Sequence, residues 1–334
     1  MSRKEAFLKG ADLTEQFFKP NEALGQHILI DETLLKTISE QVVSGANVIE
    51  IGVGPGNLTK NLAKRASLVF GLEIDARFED TFIDKIGDQQ NVTVRFADAL
   101  KVDYMDDYIK KDPEALWQIV SSLPFHISEP FIKKISQLPI YDAILLVGDS
   151  LANTLSQTDP NSPMFTRQSL LAHTYFDIEQ IADVDKNAFW PPPRTDASLI
   201  RLSPRNEFDY SSLSLAILKS LFDNEHTNQT VRKGILTAAA APSGYNIDKY
   251  GGKIAANRAS RRKDKEALRL MARTLIGEST ENLSSSTDST LIPSAVFSRL
   301  NLPDKILDTP FNNLDSNSLR LLARALAVGA KRNK

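Results

Sequence analysis

A glycine-rich turn is the first feature of this chain that could bind a ligand. Val48–Thr59 places Gly52, Gly54 and Gly56 directly after a short apolar run. Glycine tolerates positive φ and lets a ligand lie against bare backbone, so the turn is a candidate binding loop. By itself it is also typical of a dinucleotide site, or of a plain tight turn between a strand and a helix.

Three acidic residues surround this turn at regular intervals. Glu50 lies two residues before Gly52, Glu73 follows about twenty residues later, and Asp98–Ala99 ends the next apolar run. In an α/β sheet an acid at the second strand end can bind both ribose hydroxyls, and an acid at the third suits an adenine amine. Glycines and acids in this order indicate a class I methyltransferase pocket. No pyrophosphate has to be held, which favours S-adenosylmethionine over NAD; a solvated strand-end carboxylate is the alternative for Glu73.

A second candidate site lies in Ser121–Ser128, at the end of another apolar run. Ser122, Leu123, Pro124 and Phe125 combine a polar, an apolar, a rigid and an aromatic residue, which suits a planar amine. A side-chain oxygen and a backbone carbonyl can accept the two amine hydrogens while the ring stacks on the base. We interpret His126 as a wall residue. Alone, the segment is also typical of an ordinary turn between a strand and a helix.

Alternating apolar runs and amphipathic stretches must position these residues. We predict parallel strands, intervening helices and two later strands, which together form a doubly wound α/β sheet with an antiparallel pair at its end. The predicted strands are Asn47–Ile51, Leu68–Ile74, Val92–Phe96, Leu116–Val120, Ala143–Val147, Phe176–Val184 and Ala197–Leu202. The predicted helices are Leu58–Arg65, Arg77–Ile86 and Glu129–Gln137.

The sequence pattern changes after Pro204, because short apolar runs typical of strands become rare. Helical periodicity is present in Tyr210–Phe222, Thr230–Ala240, Lys265–Leu275, Ala295–Leu300 and Ser316–Ala327. We therefore predict an N-terminal segment that covers the cofactor (1–46), a cofactor-binding domain (47–204) and a smaller helical domain (205–334). The polar stretch 278–290 is interpreted as a loop.

Composition limits the chemistry and the location of the protein. The chain has no cysteine and four histidines without metal-ligand spacing, so we expect no metal. The N-terminus does not resemble a signal peptide and no apolar run is long enough to cross a bilayer, so a cytoplasmic protein without membrane association is expected. The net charge of −2 argues mildly against nucleic acid, although phosphate contacts need only one basic face.

The order of these motifs resembles the rRNA adenine dimethyltransferase family of rRNA adenine N(6)-methyltransferases, which has the macrolide-resistance rRNA methyltransferases as relatives. The resemblance covers about residues 17–204 and, more loosely, the C-terminal helices. It is carried by Leu24–Asp31, Val48–Thr59 with Glu73 and Asp98, Phe189–Ser198, Leu302–Asp308 and Leu314–Leu319.

The resemblance implies a Rossmann-like methyltransferase fold and methylation of an adenine amine, with dimethylation of small-subunit rRNA as its most specific form. It implies cofactor contacts from Gln26, His27, Leu29, Ile74, Ala99 and Ser122 besides the acids and glycines. It also implies that Phe125 and Phe189 sandwich the flipped base. The implied partner is rRNA or a precursor of the small ribosomal subunit, bound by a monomer with a role in rRNA processing.

This sequence departs from the family pattern at three places. Ser122 stands where the family has asparagine, Val147–Asp149 replaces a Gln-Lys-Glu segment, and Asn153 replaces an arginine. A second hypothesis is therefore a ribosome-assembly or RNA-binding factor that keeps the fold but has weakened or no activity. Methylation of large-subunit rRNA or DNA is a third hypothesis, and an NAD enzyme would leave Ser122–Phe125 unexplained.

Basic clusters are the candidate RNA contacts. Asn257–Lys265 is the densest, and Arg232–Lys233 and Ala330–Lys334 add to it. A solvated helix end is the alternative explanation for each run.

Overall fold

The computed structural model describes residue 21 and residues 24–87, 89–123, 127–205, 213–223, 228–240, 297 and 300–331. The chain divides into two compact units. The first contains the described residues up to Ser156 together with Phe176–Pro204, and the second contains Gln157–Tyr175 and the described residues from Arg205 onward. The boundaries expected from the sequence differ in two respects. They place residues 157–175 inside the cofactor-binding domain, and they separate the segment 1–46 from it.

The strands of the first unit form a seven-stranded sheet and a separate two-stranded ribbon. The large sheet has the order β4-β3-β2-β5-β6-β9-β7, and the ribbon pairs β1 with β8. The strands are β1 (Ile28–Leu29), β2 (Asn47–Ile51), β3 (Leu68–Glu73), β4 (Val92–Phe96), β5 (Trp117–Ser122), β6 (Asp142–Gly148), β7 (Phe176–Val184), β8 (Phe189–Trp190) and β9 (Ala197–Pro204).

Parallel pairing joins β4, β3, β2, β5 and β6, and antiparallel pairing adds β9 and β7. Every residue of β2 and β6 is buried, as expected for central strands covered on both faces. In β4, at the sheet edge, exposed and partly buried residues alternate. The predicted doubly wound sheet with an antiparallel pair at its end is therefore confirmed.

The described helices of the first unit connect these strands. They are α1 (Glu32–Glu40), α2 (Thr59–Leu62), α3 (Glu79–Ile86), α4 (Tyr104–Asp107), α5 (Ser128–Ile135) and α6 (Asp149–Ser156). The aliphatic residues of α1 and α2 pack with β2 in one core cluster. The sequence analysis predicted the helices after β2, β3 and β5 but not α1, α4 or α6.

The described part of the second unit is helical. Its helices are α7 (Arg167–Tyr175), α8 (Leu213–Asp223), α9 (Val231–Ala240), α10 (Asp304–Leu307) and α11 (Ser316–Lys331). The helices predicted near α8, α9 and α11 are confirmed, whereas the one predicted at Lys265–Leu275 lies outside the described residues. The sequence analysis missed α7 because its buried residues, from Ser169 to Tyr175, do not follow a one-sided apolar stripe.

Aromatic packing forms the centre of this second unit. The rings of Phe222 and Phe311 meet edge to face at 4.9 Å, and the Arg167 guanidinium lies 4.3 Å from the Phe311 ring centroid.

Within the described ranges of both units, no helix combines the length and the apolar character that a membrane crossing requires.

Candidate active site

A pocket opens at the carboxyl ends of β2, β3, β4 and β5, where the sheet order makes these four ends neighbours. This edge is where open α/β sheets bind ligands. Most of the residues predicted for the cofactor and the target base line this pocket. They are Gln26, His27, Leu29, Gly52, Gly54, Glu73, Ile74, Asp98, Ala99, Ser122, Leu123 and Phe189.

The glycine-rich turn adopts the backbone that its sequence predicts. Gly52, Gly54 and Gly56 have φ values of +78°, +50° and +86°, which L side chains rarely adopt. A Cβ on Gly54 would meet nothing within 4 Å, so this part of the turn is bare on the pocket side. Gly52 donates to the Leu72 carbonyl at 2.8 Å, which joins the turn to the end of β3.

Gly56 lies outside the pocket lining, contrary to the contact predicted for it. A Cβ there would come within 2.9 Å of Ile86 and 3.2 Å of Phe82. Its missing side chain therefore makes room for α3 to pack against the turn.

Glu73 is held in one orientation by two backbone donors. The Gly54 N–H donates to Oε2 and the Asp75 N–H to Oε1, both at 2.9 Å. The side chain is largely buried, and burial raises its pKa, against the effect of these hydrogen bonds. The carboxylate thus faces the pocket from a fixed position beside the glycine turn.

Glu50 is the second of the predicted residues that lies outside the pocket lining. Its side chain is 1% exposed below the glycine turn, and Oε2 has no hydrogen-bond partner in the described structure. Burial raises its pKa to about 8; the nearby Thr59 hydroxyl opposes this shift and the charge of Glu73 adds to it. Glu50 therefore lies in the core near the end of β2.

Asp98 reaches the pocket from a loop held by several contacts. Its Oδ1 accepts the Leu100 N–H at 2.9 Å, and Lys101 lies 3.4 Å from Oδ2. The buried Tyr104 hydroxyl donates to the Ala99 carbonyl at 2.8 Å, and Lys134 of α5 donates to the Leu100 carbonyl at 3.0 Å. These contacts fix the loop, so Asp98 has a defined position at the pocket wall.

Ser122 and Leu123 stand at the end of β5, next to the glycine turn. A Cβ on Gly52 would lie 3.8 Å from the Ser122 carbonyl oxygen. The Leu123 N–H donates to the Leu146 carbonyl at 2.9 Å, and its side chain is buried. Pro124 and Phe125, the other predicted members of this segment, lie outside the described residues, as does His126.

Part of the N-terminal segment that is predicted to cover the cofactor (1–46) pairs with the strand that carries Phe189. Ile28 and Leu29 stand opposite Trp190 and Phe189 in the ribbon. His27 Nδ1 is 2.7 Å from the Pro191 carbonyl oxygen, and because a carbonyl only accepts, Nδ1 donates. The ribbon of β1 and β8 therefore joins residues predicted to cover the cofactor with the aromatic residue predicted for the base.

Several pocket residues were not found by sequence reasoning. Leu146, Val147 and Pro193 contribute apolar lining. Asn57, which follows β2, and Phe78, which follows β3, also line the pocket. Asn57 follows the last glycine of the turn directly, so its polar side chain at a helix start was the available signal. The apolar residues carry no such signal, because a core residue and a pocket residue have the same type.

Two further expectations concern metals and basic clusters. Among the residues that the structure describes, no group of three or more potential metal ligands occurs. Arg232, an expected RNA contact, is paired with Asp304 at 2.7 Å and with Asp308 at 2.6 Å. The cluster Asn257–Lys265 lies outside the described residues.

Comparison with known proteins gives consistent matches. The model of a family described as "Ribosomal RNA adenine dimethylase" matches residues 17–239. A "probable ribosomal RNA small subunit methyltransferase A" from Methanopyrus kandleri is 32% identical over 227 residues, which cover 66% of this chain and 78% of that protein. A "ribosomal RNA small subunit methyltransferase A" from Bacillus licheniformis is 33% identical over 202 residues, covering 58% of this chain and 68% of that protein.

A solved structure of similar fold covers more of the chain. The crystal structure of a dimethyladenosine transferase from Plasmodium falciparum superimposes with a TM-score of 0.50 at 20% identity. It covers 92% of this chain and 98% of that one. At this identity the likeness shows the fold alone.

Proposed function

Because the chain belongs to the ribosomal RNA adenine dimethylase family, we propose that it transfers methyl groups from S-adenosylmethionine to the exocyclic amine of adenine in rRNA. The observation that carries the proposal is that Gly54, Glu73, Asp98, Ser122 and Phe189 line one pocket together. The two curated relatives described above are named as small-subunit rRNA methyltransferases, which supports rRNA as the substrate. The description of the matching family supports dimethylation of adenine as the reaction.

The residues of the pocket fit S-adenosylmethionine. Glu73 presents a carboxylate held by two N–H groups, suited to the ribose hydroxyls, and Gly54 leaves open space beside it. Asp98 offers a partly exposed acceptor for the adenine amine of the cofactor, and Ile74, 54% exposed, offers an apolar surface for its ring.

The cofactor supplies, when bound, a methyl group on a positively charged sulfur, which is a strong electrophile. The protein then has to orient a weak nucleophile, because the lone pair of the adenine amine is delocalised into its ring. Ser122 Oγ and the Leu123 carbonyl accept the two amine hydrogens and localise that lone pair. Phe189 forms an apolar wall for the base and excludes water. No strong base is required before the new bond forms, and the proton that the amine loses passes to solvent.

Several finer points belong to the same proposal. We propose a monomer that acts in the cytoplasm on the small ribosomal subunit or its precursor, with two methyl groups added to each target adenine. The competing hypothesis, an assembly factor without activity, depends on Ser122 replacing asparagine. A serine hydroxyl can still accept an amine hydrogen, and no observation on the described residues favours that second hypothesis.

The proposal is tested by adding purified protein and S-adenosylmethionine to small-subunit particles that lack the modification. Mass spectrometry of the digested rRNA is expected to show N(6)-methylated and dimethylated adenosine at defined positions. Heat-inactivated protein is the control. Calorimetry that shows cofactor binding without any methyl transfer would support the assembly-factor hypothesis, whereas no binding would remove the cofactor assignment altogether.

A further inference from the structure

A buried aspartate outside the pocket holds one end of the covering segment, Gln26–Leu29. Gln26 lines the pocket, and its Nε2 donates to Asp75 Oδ2 at 2.7 Å. Gln26 Oε1 accepts the Asn21 N–H at 2.7 Å, so both ends of the amide are engaged. Asp75 is not part of the pocket lining, but its side chain accepts from Gln26 and its backbone N–H donates to Glu73, and both of these residues line the pocket.

Asp75 is itself held firmly in place. Arg77 donates to it from Nε at 2.9 Å and from Nη2 at 2.5 Å, and the Asp75 N–H donates to Glu73. The Asp75 side chain is 7% exposed, and the Arg77 guanidinium lowers its pKa to about 2. It is therefore an ionised, oriented acceptor whose position is tied to the carboxylate assigned to the ribose.

The other end of the covering segment is held from a different element. Asn57 Nδ2 donates to the Leu29 carbonyl at 2.8 Å, and Lys85 of α3 donates to Asn57 Oδ1. Asn57 lines the pocket, whereas Lys85 does not. Lys85 is partly buried, and this burial lowers its pKa to about 8.

We propose that Asp75 and Lys85 are positioning residues for the cofactor, which act through Gln26 and Asn57 to fix the two ends of the covering segment over the pocket. The inference rests on the proposed function, because it takes S-adenosylmethionine as the ligand. Neither residue needs to touch the ligand. A binding segment is held in a productive place by supporting side chains whose own positions are fixed by further hydrogen bonds.

The test is a pair of double-mutant cycles read out by calorimetry with S-adenosylmethionine. Asp75→Ala and Lys85→Met are each expected to weaken binding about tenfold, the cost of one hydrogen bond to a charged group. In a Gln26→Ala background Asp75→Ala should have no further effect, and in an Asn57→Ala background Lys85→Met should have none. A merely structural role would lower thermal stability but would leave the two effects on affinity additive.

Matched controls use ion pairs of the same kind away from the covering segment. Asp107→Ala removes an aspartate bound by Arg95, and Lys110→Met removes an exposed lysine bound by Asp106; both should leave affinity unchanged. If Asp75→Ala does not fold, Asp75→Asn, which loses the charge but keeps an acceptor, takes its place. If the wild type binds S-adenosylmethionine and the variants bind it with unchanged affinity, this inference alone is overturned. The same holds if the effects of the paired substitutions on affinity are additive. Absence of wild-type binding overturns the proposed function together with it.

Discussion

Leu29 and Phe189 stand opposite each other in the antiparallel ribbon of β1 and β8. Both line the pocket and both are buried in the same core cluster. The ribbon therefore joins a residue assigned to the cofactor with the aromatic assigned to the target base. It is extended by the hydrogen bond from His27 to Pro191, which are 164 positions apart in the chain.

Phe189→Leu should impair methyl transfer more than it impairs folding. Leucine keeps apolar volume in the cluster but cannot stack on a base, and stacking contributes about 1–3 kcal/mol. We expect kcat/KM for rRNA to fall by about tenfold to a hundredfold, measured with undermodified small-subunit particles. Phe82→Leu, at a buried position outside the pocket, is the control and should lower stability without this loss of activity. Equal losses of activity in the two variants would assign Phe189 to packing.

Glu73→Ala should weaken S-adenosylmethionine binding by about 1.5–3 kcal/mol, because hydrogen bonds to a charged acceptor are lost. Calorimetry measures the change directly. Glu40→Ala, an exposed acid on α1, is the control and should leave the affinity as in the wild type. If Glu73→Ala binds as tightly as the wild type, the ribose assignment is wrong.

Glu50→Gln should remove a pH dependence of stability that the wild type has. The folded pKa of Glu50 is raised from 4.5 to about 8, so between these values the folded state keeps a proton that the unfolded state has lost. Its contribution to stability is thus fully present below pH 4.5 and is lost as the pH rises toward 8.

Urea unfolding at pH 6 and pH 9 measures this effect. Between pH 6 and pH 9 the free energy of unfolding of the wild type should fall by on the order of a few kcal/mol more than that of the variant. Glu73 and Lys85 titrate in both proteins, so the difference between the two proteins isolates Glu50. Parallel pH profiles would show that Glu50 is not protonated in the free protein at neutral pH.

Ser122→Ala should slow methyl transfer by about tenfold to a hundredfold, or roughly 1.4–2.7 kcal/mol, through loss of one acceptor for the amine. Ser122→Asn, which restores the family residue, should keep or raise the rate. Single-turnover assays measure the transfer without interference from product release, and Ser67→Ala, at an exposed position, is the control. If wild type and Ser122→Ala are equally inactive while Ser122→Asn is active, the natural protein is an assembly factor that has lost its chemistry.

Reversal of Arg261, Arg262 and Lys263 to glutamate should weaken rRNA binding and reduce its salt dependence, with cofactor affinity unchanged. The same reversal at Lys36, Lys64 and Lys110, which are exposed in the first unit, controls for the change in net charge. Binding titrations at several salt concentrations give the slope. An unchanged slope would mean that the cluster is only solvated.

The sequence by itself determined the parallel strands, the glycine turn and the acids at strand ends. These features are local, since a buried strand needs a short apolar run and a positive φ needs glycine. Glu73, Asp98 and Ser122 could therefore be assigned to strand ends before any contact between them was known. The family motifs near Gln26 and Phe189 indicated two further parts of the pocket wall.

Only the tertiary structure decided which of these residues share the pocket. The order β4-β3-β2-β5 brings Glu73, Asp98 and Ser122 together. The side chain of Glu50, near the end of β2, is buried in the core. Gly56 lies where α3 packs against the turn, because Ile86 and Phe82 approach it closely. The ribbon of β1 and β8 and the contacts of Asp75 and Lys85 join residues distant in the chain. Two-residue strands and single polar contacts have no periodicity, so their partners are set by the folded backbone and not by any local pattern.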